Sequence, residues 1–331
     1  MKKIQLLTGI LVSVILIYIV LNGIDFGDVW NIIINLDYLI LVPAVIIQIL
    51  SYWVRSMRWA IILKNIKTVR VNRLFPIICI SYMANNLLPL RIGEFVRAYL
   101  MGKKENISAT AVFSTVILER IYDGITLLLF LGVTAILYPF PSWVKQIGLV
   151  TTLFFFCALV FIFCLVVFKK RTLSFINLFI QVLPGKFNKK IDDIIEKFID
   201  GFDTIKDKKK LVPIAVYSIV IWSMEAYLFY ALAKAFDFNS AVYLAFFTLV
   251  VVNLGIMIPS SPGYVGTFEY FITKALSVFG ISKEISLSYA LILRVFQYLP
   301  ITLIGFLFLL KEGISLTQLT KMSKDGNGRE A

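Results

Sequence analysis

Histidine is absent from this chain of 331 residues, cysteine occurs three times, and charged side chains make up only 16% of it. Without histidine the chain lacks the commonest proton shuttle near neutral pH and the commonest metal ligand. Cys79, Cys157 and Cys164 lie in apolar stretches with no CxxC spacing, so they read as small buried apolar residues, not a zinc or redox site. No GxxxxGK[ST] loop occurs, which removes ATP as a direct drive. The first apolar run is not followed by a small-x-small cleavage site. It reads as an uncleaved helix with Lys2 and Lys3 at its inner end. No cofactor or metal is expected from this composition.

Hydrophobic residues dominate instead, at 59%, with a mean hydropathy of +0.87. A hydrocarbon layer of roughly 30 Å is crossed by about 20 apolar residues, and 4–21, 211–233 and 286–310 meet that length. The expected fold class is therefore an all-α polytopic membrane protein. The formal charge of +13 falls mainly in short loops, as the positive-inside bias predicts. No basic, aromatic-rich soluble module accompanies it, so no nucleic-acid partner is expected.

Loop charges order the segments. Residues 22–37 carry Asp25, Asp28 and Asp37 and no Lys or Arg, which suits an outer loop. Helix 38–63 ends in Lys64, Lys67, Arg70 and Arg73, which suits the inside. Segment 74–104 has basic residues at both ends, so it enters the membrane and returns. Helices 110–138 and 145–168 meet at an outer turn, YPFPSW (138–143). In 169–210, Ile191, Ile194, Ile195, Phe198, Ile199, Phe202 and Ile205 recur at helical spacing. That pattern predicts a cytoplasmic amphipathic helix on the membrane surface or packed on the bundle. Segment 241–278 is broken at PSSPG (259–263) and reads as a second hairpin, entered from outside. The sum is about six crossings and two re-entrant hairpins in residues 1–311, then a polar cytoplasmic tail, 312–331. Both termini lie inside.

The two breaks carry the chemistry. NNLLPLRIGEFVRA (85–98) and NLGIMIPSSPGYVGTFE (253–269) each run Asn, Leu, Pro, Gly, Glu, then an aromatic-rich helix. One enters from each side, the arrangement of an inverted-topology repeat with a central site. Kinked backbone at bilayer depth survives only against protein or a wet cavity. Pro89, Pro259 and Pro262 stop helices; Gly93, Gly263 and Gly266 let the backbone turn or approach closely. Each break opens a new helix, whose free N–H groups attract anions. Asn86, Arg91, Arg97, Ser260, Ser261 and Thr267 add polar groups, the serines serving equally as helix caps.

Further ionisable residues lie in apolar stretches: Arg55, Arg58, Glu119, Arg120, Asp123, Glu225 and Arg294. A bare charge at the bilayer centre costs at least about 2.5–3.5 kcal/mol, so these residues need pairing or hydration. Arg55 and Arg58 sit in the inner half of their helix, within snorkelling range. Glu225 is mid-helix and must be protonated or paired, with Arg294 or Arg58 as candidates. Glu94, Glu225 and Glu269 could bind a cationic group or carry a proton. Glu119 and Asp123, four apart, could hold a divalent metal.

NNLLPLRIGEFVRAYLM, ERIYDG (119–124) and PSSPGYVGTFE together resemble the transmembrane domain of lysylphosphatidylglycerol synthases and related flippase-like membrane proteins. The resemblance spans roughly 1–311. It implies a lipid translocase fold with re-entrant hairpins, and it maps onto Asn86, Pro89, Arg91, Gly93, Glu94, Arg97, Glu119, Arg120, Asp123, Pro259, Pro262, Gly263, Gly266 and Glu269. No transferase domain follows the last helix, so the expected role is non-enzymatic. It is flipping or scrambling of an anionic phospholipid, aminoacyl-phospholipid or polyprenyl-phosphate lipid in the cell membrane. An intramembrane lipid-phosphate transferase, or an accessory subunit of a lipid-modifying or glycosyltransferase system, is the alternative. Membrane lipids, a separate lipid-modifying enzyme and further copies of the chain are the expected partners. The expected substrate-binding set is Asn86, Arg91, Glu94, Arg97, Glu119, Arg120, Asp123, Glu225, Ser260, Ser261, Gly263, Glu269 and Arg294.

Overall fold

In the computed structural model of the protein, residues 2–88, 91–137, 141–169, 194–239, 241–257, 261–313 and 318 are described. Pro89, Pro259, Ser260, residues 170–193 of the amphipathic segment and nearly all of the tail fall outside that set. Among the described residues all regular structure is helical. The chain is an all-α polytopic membrane protein.

The first apolar run forms α1 (Lys2–Leu21). Residues 22–37, expected as a loop, instead contain a helix, α2 (Phe26–Ile34). The Asp25 carboxylate caps it by accepting from the N–H groups of Gly27 and Asp28. Gly23, at φ 77°, lets the chain turn between them, and α1 and α2 meet at 85°. Val29 and Ile33 of α2 pack with Val20 and Leu287, an amphipathic contact hidden behind the Asp residues that suggested a loop.

Next in order come α3 (Leu41–Leu63), α4 (Val71–Leu87), α5 (Ile92–Glu105) and α6 (Ala109–Leu137). They are followed by α7 (Ser142–Val167), α8 (Lys208–Ala235), α9 (Ala241–Gly255), α10 (Thr267–Ser277) and α11 (Lys283–Lys311). Tyr38–Leu63, Ser142–Val167, Lys208–Ala235 and Lys283–Lys311 are long and apolar enough to cross a membrane. Helix α6 has 29 residues, about 44 Å at 1.5 Å each, with Glu119, Arg120 and Asp123 along it. Arms α4 and α5 have 17 and 14 residues, α9 and α10 have 15 and 11. At about 16–26 Å, each is shorter than the roughly 30 Å core. Each pair packs against itself as a helical hairpin.

The chain is two halves of one plan. One apolar core gathers chiefly around α3–α6 and is joined by Ile214, Ile301 and Leu309; the other gathers around α8–α11 and is joined by Leu41, Ala44, Leu127 and Leu131. Helix α3 packs on α8, α4 on α11 and α6 on α9, so each half's hairpin leans on the long helix of the other. Arg55 meets Glu225 while Arg58 meets Ser218, so α3 and α8 run antiparallel. Asn86 meets Thr302 while Phe75 meets Phe308, so α4 and α11 do too. Of these pairs, α3 and α8 are the first helices of their halves, so the halves face opposite ways, the arrangement of an inverted repeat.

The amphipathic segment packs on the bundle: Ile199 and Phe202 are buried, Phe202 within the first half's core. Cys79 is buried, but Cys157 and Cys164 are exposed on α7, contrary to expectation. Helix α7 exposes Leu149, Phe154, Phe156 and Phe161 as well. A helix that faces acyl chains gains nothing by hiding a thiol.

Candidate functional site

The two breaks meet. A cavity of about 100 Å³ lies between them. Asn85, Asn86, Arg91 and Glu94 line it from the first hairpin, and Asn253, Ile256, Tyr264 and Phe268 from the second. Arg55 of α3, Arg120 of α6, Glu225 of α8 and Gln297 of α11 complete the polar wall.

Local backbone sets that wall. Arg91 is the residue before α5 and adopts left-handed φ 52°, ψ 38°, a conformation uncommon outside glycine. Strain of that kind concentrates at functional sites. Its Nη2 donates to the Ile256 carbonyl at 3.3 Å, and its guanidinium lies 5.7 Å from the Tyr264 ring. One side chain of the first hairpin thus ties down the second. Next to it, Gly93 donates its N–H to Asn85 Oδ1 (2.9 Å), and its carbonyl accepts from Ser81 Oγ (2.8 Å). A Cβ at Gly93 would fall 1.9 Å from the Ser81 carbonyl, so only glycine permits this approach. Asn86 donates to Thr302 Oγ1 at 2.9 Å.

Glu225 is buried and paired with Arg55 (2.9 Å), not with Arg294 or Arg58 as expected. Gln48 Nε2 donates to its other oxygen at 2.8 Å, and Gln297 reaches it at 3.5 Å. Arg55 does not snorkel: it is 4% exposed, among the rings of Tyr52, Tyr82 and Trp222. Its Nε and Nη1 are buried with no hydrogen-bond partner.

Behind the cavity lies a second, closed network. Arg58, 0% exposed, donates to Asp123 (2.7 Å), Ser218 (2.8 Å) and Glu119 (3.1 Å). Arg97 pairs with the far oxygen of Glu119 at 2.6 Å and lies 3.7 Å from the Trp59 ring centroid. Trp222 Nε1 donates to Asp123 at 3.0 Å. Expected as ligand groups, Arg97, Glu119 and Asp123 instead enter ion pairs away from the cavity, Arg97 with Glu119 and Asp123 with Arg58. The metal reading of Glu119 and Asp123 fails here, because guanidiniums occupy the faces a cation would need. Arg120 links the layers: it reaches Asp123 (3.3 Å) and Tyr82 (3.2 Å), with Glu94 at 3.6 Å.

Ser261, Gly263, Glu269 and Arg294 form a third group beside the cavity. Arg294 pairs with Glu269 at 2.6 Å and donates to the carbonyls of Gly263 (2.6 Å) and Tyr264 (3.3 Å). Glu269 accepts from the Gly266 N–H at 2.8 Å, a cap on α10. The Ser261 N–H donates to Ser13 Oγ of α1 (2.9 Å), and its hydroxyl to the Val265 carbonyl (3.0 Å). These residues clamp the second break; they do not line the hollow. Gly263, Tyr264 and Gly266 all hold positive φ, which explains why so many donors and acceptors converge there.

The repeat extends to the site. Glu94 faces Arg120 as Glu269 faces Arg294. Arg120-Ile-Tyr-Asp123 matches Arg294-Val-Phe-Gln297, and Ser56-Met-Arg58 matches Ser223-Met-Glu225. Arg58 meets Asp123 as Glu225 meets Gln297. The echo with Asp123 is the signal in the sequence for Gln297, while Arg55 is signalled only by its charge in an apolar stretch; both stand outside the expected binding set.

Residues 6–305 match the family model for the lysylphosphatidylglycerol synthase TM region. The UPF0104 membrane protein PH1989 of Pyrococcus horikoshii is 23% identical, covering 94% of this chain and 97% of that protein. The UPF0104 membrane protein MJ1078 of Methanocaldococcus jannaschii is 26% identical over 67% of this chain and 90% of that protein. A protein of Haloferax volcanii named glycosyltransferase AglD is 21% identical over 99% of this chain and 58% of its own length. The chain belongs to the lysylphosphatidylglycerol synthase TM family.

Proposed function

We propose that this member of the family moves the headgroup of an anionic lipid between leaflets, through the cavity where its two hairpin breaks meet. One observation carries the reading: Arg55, Arg91 and Arg120 converge on a hollow between two interrupted helices in an otherwise apolar bundle. Interrupted helices in membranes bound ion and substrate sites, and guanidiniums match phosphate oxygens in geometry and charge. The acyl chains stay in the bilayer while the phosphate passes the polar wall. Glu225 pairs with Arg55, and Glu94 lies 3.6 Å from Arg120. No catalytic step is assigned to the chain. It works in the cell membrane with both termini cytoplasmic, on membrane lipids supplied by a separate lipid-modifying enzyme.

Purified protein in phosphatidylcholine vesicles, with acyl-labelled phosphatidylglycerol and a quencher of the outer leaflet, tests this. Labelled lipid in the inner leaflet should become quenchable, with its mass unchanged. Arg91→Gln should slow exchange at least about ten-fold, the loss expected for one charge-assisted phosphate contact of roughly 1.5–3 kcal/mol. Its helical circular dichroism should match that of the unmodified protein. Equal exchange with and without protein would end the reading. The match to a protein named glycosyltransferase supports a second one, an accessory part in a lipid-linked sugar system. A lipid of altered mass, or exchange only with a partner enzyme present, would favour it.

A further inference from the structure

Counting the charges on the cavity wall narrows the lipid. Three guanidiniums, Arg55, Arg91 and Arg120, face two carboxylates, Glu94 and Glu225. The networks behind it are balanced: Arg58 and Arg97 against Glu119 and Asp123, and Arg294 against Glu269. One positive charge is left over. It belongs to Arg91, which pairs with no carboxylate among the described residues; its neighbours are the Ile256 carbonyl and the Tyr264 side chain. Arg55 supplies the second half of the site, with two buried donors unused. Arg91 is half-buried, and an excess charge partly withdrawn from water is costly unless a counter-ion joins it.

We infer that the cavity takes a headgroup of net charge minus one, a phosphodiester with no other ionised group, held between Arg91 and the free edge of Arg55. This rests on the lipid-transport reading and selects within it. A phosphomonoester brings one negative charge too many. A zwitterionic headgroup leaves the surplus cation unmatched, and an aminoacyl ester with two ammonium groups adds to it. Two lipid types carry the chosen group: a phospholipid with an uncharged headgroup such as glycerol, and a polyprenyl phosphoryl sugar. Arg55, absent from the expected binding set, becomes a ligand contact.

The full chain in phosphatidylcholine nanodiscs, titrated with acyl-labelled lipids, measures binding separately from movement. Phosphatidylglycerol or a polyprenyl phosphoryl hexose should bind at least ten-fold more tightly than phosphatidic acid, phosphatidylethanolamine or lysylphosphatidylglycerol. Whichever of the first two binds more tightly identifies the source. Arg91→Gln makes the wall neutral and should remove the preference for the monoanion over the zwitterion. Glu225→Gln adds a charge and should shift the ratio of phosphatidic acid to phosphatidylglycerol binding at least ten-fold toward the former. If one variant does not fold, the other reads the same rule. Binding that ignores headgroup charge, or variants that weaken every lipid equally, would overturn the inference. Monoanion binding without leaflet exchange would keep it and remove the transport reading. Exchange without charge preference would do the reverse.

Discussion

Arg58→Met should lower the melting temperature of the detergent-solubilised protein by about 4–7 °C, the largest loss of any single polar substitution outside the cavity. Arg58 is fully buried and holds two carboxylates, Glu119 and Asp123, from α6 and a serine from α8. It therefore bolts the first half to the second at one point. Truncating one partner of a buried charge network leaves the rest uncompensated, at about 3–5 kcal/mol, and a chain of 331 residues shifts by roughly 1.4 °C per kcal/mol. Replacing the carboxylates as well, with Glu119→Gln and Asp123→Asn, should recover much of the loss, since an apolar or neutral replacement of the whole set is near neutral. Arg97 would then want a partner, so recovery is incomplete. A single variant that melts with the unmodified protein would show that water already solvates these groups.

Gly93→Ala should abolish lipid exchange and destabilise the first hairpin by about 3 kcal/mol, the upper range for overpacking. The added carbon would sit 1.9 Å from a backbone oxygen of α4, which cannot swing aside as a side-chain tip can. The helices must separate, and two hydrogen bonds between them lengthen. Arg91, two residues away, then loses its place on the cavity wall. Gly132→Ala is the matched control: nothing lies within 4 Å of its new carbon, so melting temperature and exchange should stay unchanged. Limited proteolysis after Arg91 would report the opened hairpin directly.

The hairpins were legible because Pro, Gly and Asn weaken a helix wherever they fall, and an apolar run tolerates such a break only at a packed or hydrated point. The pairing of charges was not. Spacing along a helix fixes which face a residue occupies, but not which neighbour that face meets. Glu225 could be seen to need a cation; only packing α8 on α3 makes it Arg55. Arg97 and Arg91 look equivalent in sequence, six apart beside one glycine. The first turn of α5 separates them, sending one to the cavity and the other behind Trp59. Helix α2 escaped notice for a different reason. Acidic residues mark outer loops by charge, yet Asp25 serves there as a cap.

The two halves grip their hairpins unequally. At the second break Arg294 holds Glu269 and two carbonyls, while at the first Arg120 stands 3.6 Å from Glu94 without a hydrogen bond. The proposed lipid movement calls for a second shape in which the halves exchange roles, tight where this one is slack. In that proposal the direction of movement is set by where the lipid is made and where it is used up.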